Sequence, residues 1–488
     1  MAKVHARAVI VSIGDELVLG QSLDTNSRWL SEELLARGVR PVRHVTVEDD
    51  EAVIAGELVR SSGEADLVVV TGGLGPTADD LTRAALARAM GAVLEIDAGA
   101  MAQVEGWYAA RGRVMPEVNR VQAMRPVGAV CLENPNGTAP GVRAVVGEAD
   151  VFCLPGPPRE MRPMFERFVA GALRPGAVVR TRLVRTFGLG ESKVAELLGE
   201  LMDRSRNPLV GTTAQAGVVT VRMRWEGEGR QKDEGGRMKD EPAGPSAGTG
   251  RAPSEGPRGE REWDLDETER AVRERLGAAV VTPAGGDGDL GLAEVVVGLL
   301  KARGERLAVV ESCTGGLLGE KVTAVAGSSA VFCGGWITYT NAMKAVQAGV
   351  PEGYFPEVRE GAPGAVSGEV ARAMALGGLE RGVWELRGGV EGEGARSTPP
   401  RGGGGGVEHC LAITGIAGPD GGSEGKPVGT VWICRASGDG TVDCRRFLFA
   451  GGREAVREWA AVMALGMLRL KLAGVDLGLV GEQERRGV

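Results

Sequence analysis

Short apolar runs that end in a glycine-containing turn and lead into an amphipathic segment recur at both ends of this sequence. Near the N-terminus, Ala8 to Ile13 reads as a buried strand, Thr25 to Arg37 as a helix and Val42 to Val47 as a strand. Glu51 to Ser61 reads as a helix and Asp66 to Thr71 as a Val-rich strand. Strands alternating with helices in this order predict a parallel sheet covered by helices on both faces. The pattern continues through a strand at Val151 to Leu154 and a helix from Pro158 to about Ala172. It returns from Leu292: a helix to Arg303, a strand from Leu307 to Val310, a turn Glu311-Ser312-Cys313-Thr314-Gly315-Gly316, and an amphipathic segment to Val325. The expected fold class is α/β, with two layered α/β domains joined by a small α+β subdomain.

That subdomain spans 176–226. It carries a strand at Thr181 to Thr186, a helix with Val194, Leu197, Leu198 and Leu201 on one face, and an alternating strand from Val218 to Arg224. Residues 227–262 are dominated by Gly, Pro, Ser and charged residues. Such a stretch buries too little apolar surface to offset its ordering entropy and is expected to be a disordered insertion. A connecting helix and strand follow at 263–286. The last domain runs over 287–475, interrupted by a Gly-rich insertion at 387–406, and 1–175 forms the first.

With 488 residues the chain is too long for one ordinary core. Its formal charge, 57 basic against 65 acidic residues, is −8. That balance disfavours nucleic acid as the main partner and leaves phosphate-bearing small molecules open, since glycine loops and single arginines bind them within acidic proteins. The seven cysteines are odd in number, form no Cys-x-x-Cys pair and mostly sit in apolar runs. They read as free thiols of a reducing compartment. No apolar run reaches membrane-spanning length and no signal-peptide pattern opens the chain, so the expected location is cytoplasmic.

The turn at 311–316 puts a hydroxyl and a thiol between a strand and a helix N-terminus, where unpaired N–H groups favour a nucleophile or a bound anion. Only His5, His44 and His409 are present. A base for Ser312 is therefore sought among Lys and Tyr rather than in a histidine triad. Taken singly, Ser312 reads as a helix cap, Cys313 as a buried thiol, Lys344 as a solvated helix residue and Tyr339 as a strand-end aromatic.

Five ordered blocks alter that balance. ESCTGG (311–316), AGSSAVF (326–332), YTNAMK (339–344), GAVS (364–367) and TGIAGPDGGSEGKPVGTVW (414–432) closely resemble the C-terminal domain of the CinA family of competence/damage-inducible proteins. That domain is the nicotinamide mononucleotide (NMN) deamidase module. The resemblance implies hydrolysis of the NMN carboxamide to nicotinate mononucleotide and ammonia, with no cofactor. Ser312 matches the nucleophile, and Tyr339 and Lys344 match its partners. Lys344 serves as base only if burial or neighbours lower its pKa toward neutrality. Amides around Thr314 and Gly315 are candidate oxyanion donors. The turn at Thr414 and Gly415, with Lys426, is a candidate for ribose or phosphate. Ser329 and Arg453 match recurring positions.

Three further blocks are GDELVLGQSLDTNSRWL (14–30), TGGLGPTADDLTR (71–83), and NPNGTAPG (134–141) followed by LPGPPREMRPM (154–164). They resemble the N-terminal domain of the same family, which shares the fold of molybdopterin-binding proteins. The segment from Arg182 to Arg224 resembles the family's linking subdomain. Gly72, Gly73, Gly75 and Thr77 would let backbone N–H groups approach a phosphate. Asp79, Asp80 and Asp15 would hold a divalent cation. The resemblance implies a metal-dependent ADP-ribose pyrophosphatase yielding AMP and ribose 5-phosphate, and a homodimer. Thr77 to Asp80 also reads as a capping box, which needs no metal. A non-catalytic nucleotide- or pterin-binding domain, or an interaction protein in DNA uptake or damage response, is the competing expectation.

Overall fold

A computed structural model describes residues 4–228, 264–283, 290–382 and 406–486. The expected insertions at 227–262 and 387–406 lie, but for their edges, outside the described residues. The described residues form two compact units, one of 4–181 with 225–228 and one of 182–224 with 264–486.

In the first unit, β1 (Arg7–Ile13) is followed by α1 (Thr25–Ala36), β2 (Arg40–Val47), α2 (Glu51–Glu64), β3 (Leu67–Thr71) and α3 (Thr82–Met90). Strands β4 (Val130–Leu132), β5 (Gly141–Val146) and β6 (Ala149–Leu154) complete a six-stranded sheet of order β2-β1-β3-β6-β5-β4. The pairs β1–β2, β1–β3 and β3–β6 are parallel, and β6–β5 and β5–β4 antiparallel. Val9, Val11 and Ile13 enter one core and Ala8 and Ile10 the other. Burial on both faces is why β1 and β3 read as unbroken apolar runs. Each such buried Val or Ile contributes about 2 kcal/mol of apolar transfer. Asp24 starts α1 by accepting the Ser27 N–H at 2.9 Å, and Asp50 starts α2 through Ala52 and Val53.

Two local expectations change. The helix after TGGLGPT begins at Thr82, and Leu81 is its N-cap. Thr77 to Asp80 is therefore a loop before the helix, although the expected bond from the Thr77 N–H to the Asp80 carboxylate is present at 2.8 Å. The helix from Pro158 is regular only to Met164, then widens over Phe165–Val169 and tightens over Ala170–Ala172. Pro163, inside it, has no N–H to give to the ladder.

The chain then forms β7 (Ala177–Phe187), α4 (Glu191–Leu198), β8 (Leu209–Gln215) and β9 (Val218–Glu228), a three-stranded sheet of order β8-β9-β7. Helix α5 (Leu265–Leu276) is followed by a single bridge between Val280 and Thr186 where a strand was expected. Most of this small sheet belongs to the second unit. Phe187 lies in that unit's core against Gly466, where any Cβ would stand 1.8 Å from the ring.

The second unit continues with α6 (Leu292–Arg303), β10 (Leu307–Glu311), α7 (Leu317–Thr323), β11 (Phe332–Ile337), α8 (Asn341–Ala348) and α9 (Gly368–Arg381). Strands β12 (His409–Gly415), β13 (Thr430–Ser437) and β14 (Val442–Leu448), helix α10 (Arg453–Ala473) and β15 (Glu482–Arg486) complete it. The sheet order is β11-β10-β12-β13-β14-β15, parallel over its first three strands and antiparallel beyond. Leu307 and Val309 face the core that holds α6 and α10, and Ala308 and Val310 face the one that holds α9. Among the described residues no helix is long and apolar enough to cross a membrane.

Candidate functional site

In the second unit, β10 lies between two parallel neighbours, so its carboxyl end opens where three strands stop together. Ser312 follows at that end, and its N–H bonds to Ile413 O of β12 at 3.0 Å. Gly315 and Gly316, at φ 61° and 99°, then turn the chain into α7. Helix α8 starts with Thr340 as N-cap, its hydroxyl accepting the Met343 N–H. That start directs Lys344 inward beneath the turn.

Lys344 is 2% exposed and Ser312 7%. Lys344 Nζ stands 3.0 Å from Ser312 Oγ, 3.0 Å from Thr338 O and 3.4 Å from Tyr339 O. No carboxylate reaches the ammonium among these partners. Burial lowers the Lys344 pKa from its usual 10.5 to about 8, with the Cys313 thiol opposing weakly. Burial pushes the Cys313 thiol up to about 12. A thiol held protonated is a poor nucleophile, which leaves Ser312 as the candidate nucleophile of the turn.

The other expected residues are placed unevenly. The Tyr339 side chain is exposed and its hydroxyl accepts from Arg453 at 3.0 Å, so its tie to Lys344 is through its backbone carbonyl. Arg453 also donates to Gly418 O at 3.0 Å, linking the end of β11 to the turn after β12. Thr414 Oγ1 donates to Ala365 O at 2.8 Å and Lys426 Nζ to Pro363 O at 2.8 Å, which joins the 414–432 and 364–367 blocks. Burial holds the Lys426 pKa below its usual value. Gly415 ends β12, packed so closely that a Cβ would stand 2.7 Å from Val431.

Two expectations are corrected. The Gly315 N–H bonds to Ser312 O at 3.1 Å, so it is spent within the turn and is no oxyanion donor. Ser329 sits before β11, and β11 starts beside Leu307, the first residue of β10. The five residues of β10 therefore separate it from Ser312 by roughly 16 Å at the usual rise per residue.

Sequence reasoning missed Glu311, Thr338 and Arg457. Arg457 donates through Nε and a terminal nitrogen to Thr314 O, at 3.2 and 2.8 Å. Its signal was its place one turn after Arg453 on α10. Thr314 Oγ1 is buried beside the nucleophile with no hydrogen-bond partner among the described residues.

In the first unit a cavity of about 500 Å³ opens at the carboxyl ends of β1 and β3. Gly72, Gly73, Gly75, Asp79 and Asp80 line it, together with Glu16, Asp24, Asn26, Asp49, Thr138, Gly156 and Glu160. Gly72, at φ 108°, passes so close to β1 that a Cβ would stand 2.4 Å from Ile13 O. Asp80 folds back on the loop. Its carboxylate accepts the N–H of Gly75 at 2.6 Å, the N–H of Thr77 at 2.8 Å, and the Thr77 hydroxyl. Those amides are therefore not free for a phosphate, and Asp80 is not a free metal ligand.

Asp15 and Asp49 accept each other's backbone N–H at 3.1 and 2.9 Å. Burial raises the Asp49 pKa, with the charges of Asp15, Asp79 and Glu16 adding to it. These crowded carboxylates are hard oxygen donors that suit a divalent cation. Among the described residues no three acidic, His or Cys groups are set to hold one directly. Asp49, Asn26 and Glu160 were missed: the last two lie inside quoted blocks, and Asp49 in none.

Both units are thus layered α/β domains with polar residues gathered at strand carboxyl ends, the usual place for ligand sites in such sheets. Residues 9–175 match the family model of a probable molybdopterin binding domain, 181–236 that of the damage-inducible protein CinA KH domain, and 289–384 with 405–472 that of the CinA C-terminal domain. The chain belongs to the CinA family. A putative competence-damage inducible protein of Symbiobacterium thermophilum is 38% identical over 482 residues, covering 96% of this chain and 99% of that one. A CinA-like protein of Geobacter metallireducens is 38% identical over 471 residues, with the same coverage. The crystal structure of a CinA protein with unknown function from Thermoplasma acidophilum is 32% identical, covers 34% of this chain and 99% of that one, and has a TM-score of 0.33.

Proposed function

We propose that the second unit is a serine amidohydrolase that converts NMN to nicotinate mononucleotide and ammonia. The observation that carries this reading is the 3.0 Å contact between Lys344 Nζ and Ser312 Oγ, with both groups buried. Thr338 O and Tyr339 O take two N–H bonds of Lys344, so the third direction of the amine faces the serine. In its neutral form that direction is a lone pair able to accept the hydroxyl proton. Ser312 Oγ then attacks the carboxamide carbon. The oxyanion would be met by the N–H groups of Cys313 and Thr314, and the unpaired Thr314 hydroxyl suits a further contact. Lys344 returns the proton to the departing nitrogen, which leaves as ammonia. Water repeats the sequence on the acyl-serine, giving the carboxylate and free Ser312. Arg453, Arg457 and Lys426 supply positive charge for the nucleotide phosphate. Ammonia release from NMN by the wild-type chain, absent in Ser312→Ala with metal chelated, tests the assignment. Equal release by both overturns it.

For the first unit we propose a metal-dependent ADP-ribose pyrophosphatase, supported by the crowded acids beside the glycine loop. A divalent cation there would neutralise pyrophosphate charge, with Asp49, Asp15 and Asp79 holding its water shell. The engagement of Gly75 and Thr77 by Asp80 favours a second reading, a nucleotide- or pterin-binding domain without turnover. Magnesium-dependent release of AMP from ADP-ribose separates the two.

A further inference from the structure

One buried acid beside the nucleophile is left without a task by this chemistry. Glu311, the residue before Ser312, is 1% exposed. Its Oε2 accepts the N–H groups of Gly316 and Leu318 at 3.0 and 3.1 Å, and Oε1 that of Gly319 at 2.8 Å. Its backbone carbonyl accepts the Thr338 N–H at 2.7 Å and the Thr338 hydroxyl at 3.4 Å. Thr338 O in turn holds Lys344 Nζ. We propose that Glu311 is the positioning residue of the Ser312 site, its carboxylate setting the nucleophile's turn and its carbonyl setting the strand end that holds Lys344. Its catalytic consequence rests on the amidohydrolase reading, while its effect on Lys344 does not.

A helix N-terminus carries unpaired N–H groups, and a carboxylate within the same chain satisfies three of them by charge-assisted bonds. The turn that bears Ser312 thereby loses its freedom to swing about Gly315 and Gly316. Carboxylate and carbonyl also belong to one residue, so displacing the first shifts the second and opens the cradle around Lys344. The titratable group that faces Lys344 there is the Cys313 thiol. Glu311 does not touch substrate in this scheme. It acts through Ser312 and Thr338.

The test compares Glu311→Gln, Glu311→Asp and, as a control, Glu320→Gln, an exposed acid in the first turn of the same helix. Glutamine keeps the shape but turns an NH₂ group toward at least one backbone N–H. NMN hydrolysis by Glu311→Gln is expected to lose about tenfold or more in kcat with KM within about twofold, the mark of a displaced reacting group. Titration of the Lys344 amine, followed by NMR of labelled lysine, should move upward as water enters the cradle. Glu320→Gln should change neither. An unmoved Lys344 titration in folded Glu311→Gln, or a kcat per folded enzyme equal to wild type, would overturn the proposal. Should that variant fail to fold, Glu311→Asp, whose shorter arm cannot span the three amides, carries the same two readouts. If wild-type protein releases no ammonia from NMN, the amidohydrolase reading fails and the Lys344 titration alone decides this one.

Discussion

The amine of Lys344 faces the hydroxyl of Ser312 at 3.0 Å inside a pocket of carbonyl oxygens that contains no acid among its direct partners. Such surroundings favour a neutral amine, because burial removes water from the ammonium and no carboxylate replaces it. A lysine that loses its proton near neutrality is the property a serine amidase without histidine requires.

The first prediction is the pH dependence of NMN hydrolysis. The free amine predominates above about 8, so kcat should climb with pH below that value and level off above it. Ammonia release measured from pH 6 to 10 checks this. A flat profile down to pH 6 would remove Lys344 from the role of base. Lys344→Met should lower kcat by a factor of about 10² to 10⁴.

The same burial carries a stability cost. In the unfolded chain the lysine keeps its ordinary value of 10.5, so between about 8 and 10.5 the unfolded state binds more protons and stability rises with pH. Below about 8 both states are protonated, and the full penalty of the buried charge remains. Lys344→Met should therefore be more stable than wild type at pH 7, by about 2 kcal/mol, while losing activity. Urea unfolding at pH 7 and pH 10 tests the sign: the gap should narrow at the higher pH.

Cys313 is the rival nucleophile beside Ser312, and its thiol is held up at about 12 by burial. Iodoacetamide at pH 7.5 should leave NMN hydrolysis intact, and Cys313→Ala should retain activity within about threefold, since it removes no reacting group. Rapid inactivation by the reagent, prevented by Cys313→Ala, would contradict the serine assignment.

In the first unit, Arg83 is fully buried and donates to Leu74 O of the glycine loop and to Pro140 O of the 134–141 turn, at 2.8 and 2.9 Å. Burial lowers its pKa to about 10. Arg83→Met should leave both carbonyls unpaired and destabilise this unit by about 2 to 4 kcal/mol. Hydrogen exchange at β1 and β3 amides should accelerate, with NMN hydrolysis unchanged. Unaltered exchange would show that the two loops hold without it.

Gly72→Ala addresses the same cavity without touching an ionisable group. The added Cβ meets Ile13 O at 2.4 Å on a backbone of φ 108°, so the loop must move. Magnesium-dependent AMP release from ADP-ribose should vanish and NMN hydrolysis persist. Loss of both activities would mean that the substitution acts beyond its own unit.

Much of this architecture was legible in the sequence. The apolar runs of β1, β3 and β10, each bounded by a turn, already required buried strands, because a chain does not leave four consecutive Val, Ile, Leu and Ala residues in water. The turn glycines were equally readable, since few other residues adopt the φ of Gly72, Gly315 or Gly316. The ordered blocks also brought Ser312, Tyr339 and Lys344 into view as a set. Only the tertiary structure could decide which groups remain free to act. Glu311 and Asp80 each occupy helix- or loop-end amides that the sequence leaves open to an anion, and Tyr339 turns its hydroxyl to Arg453 instead of Ser312. The sheet register sends Ser329 to the far end of β10 although its block matches as well as its neighbours. Local pattern determines strand, turn and helix because those depend on residues a few positions apart. The ownership of a hydrogen bond and the burial of Lys344 depend on chain segments brought together across the sheet, and no local pattern carries them.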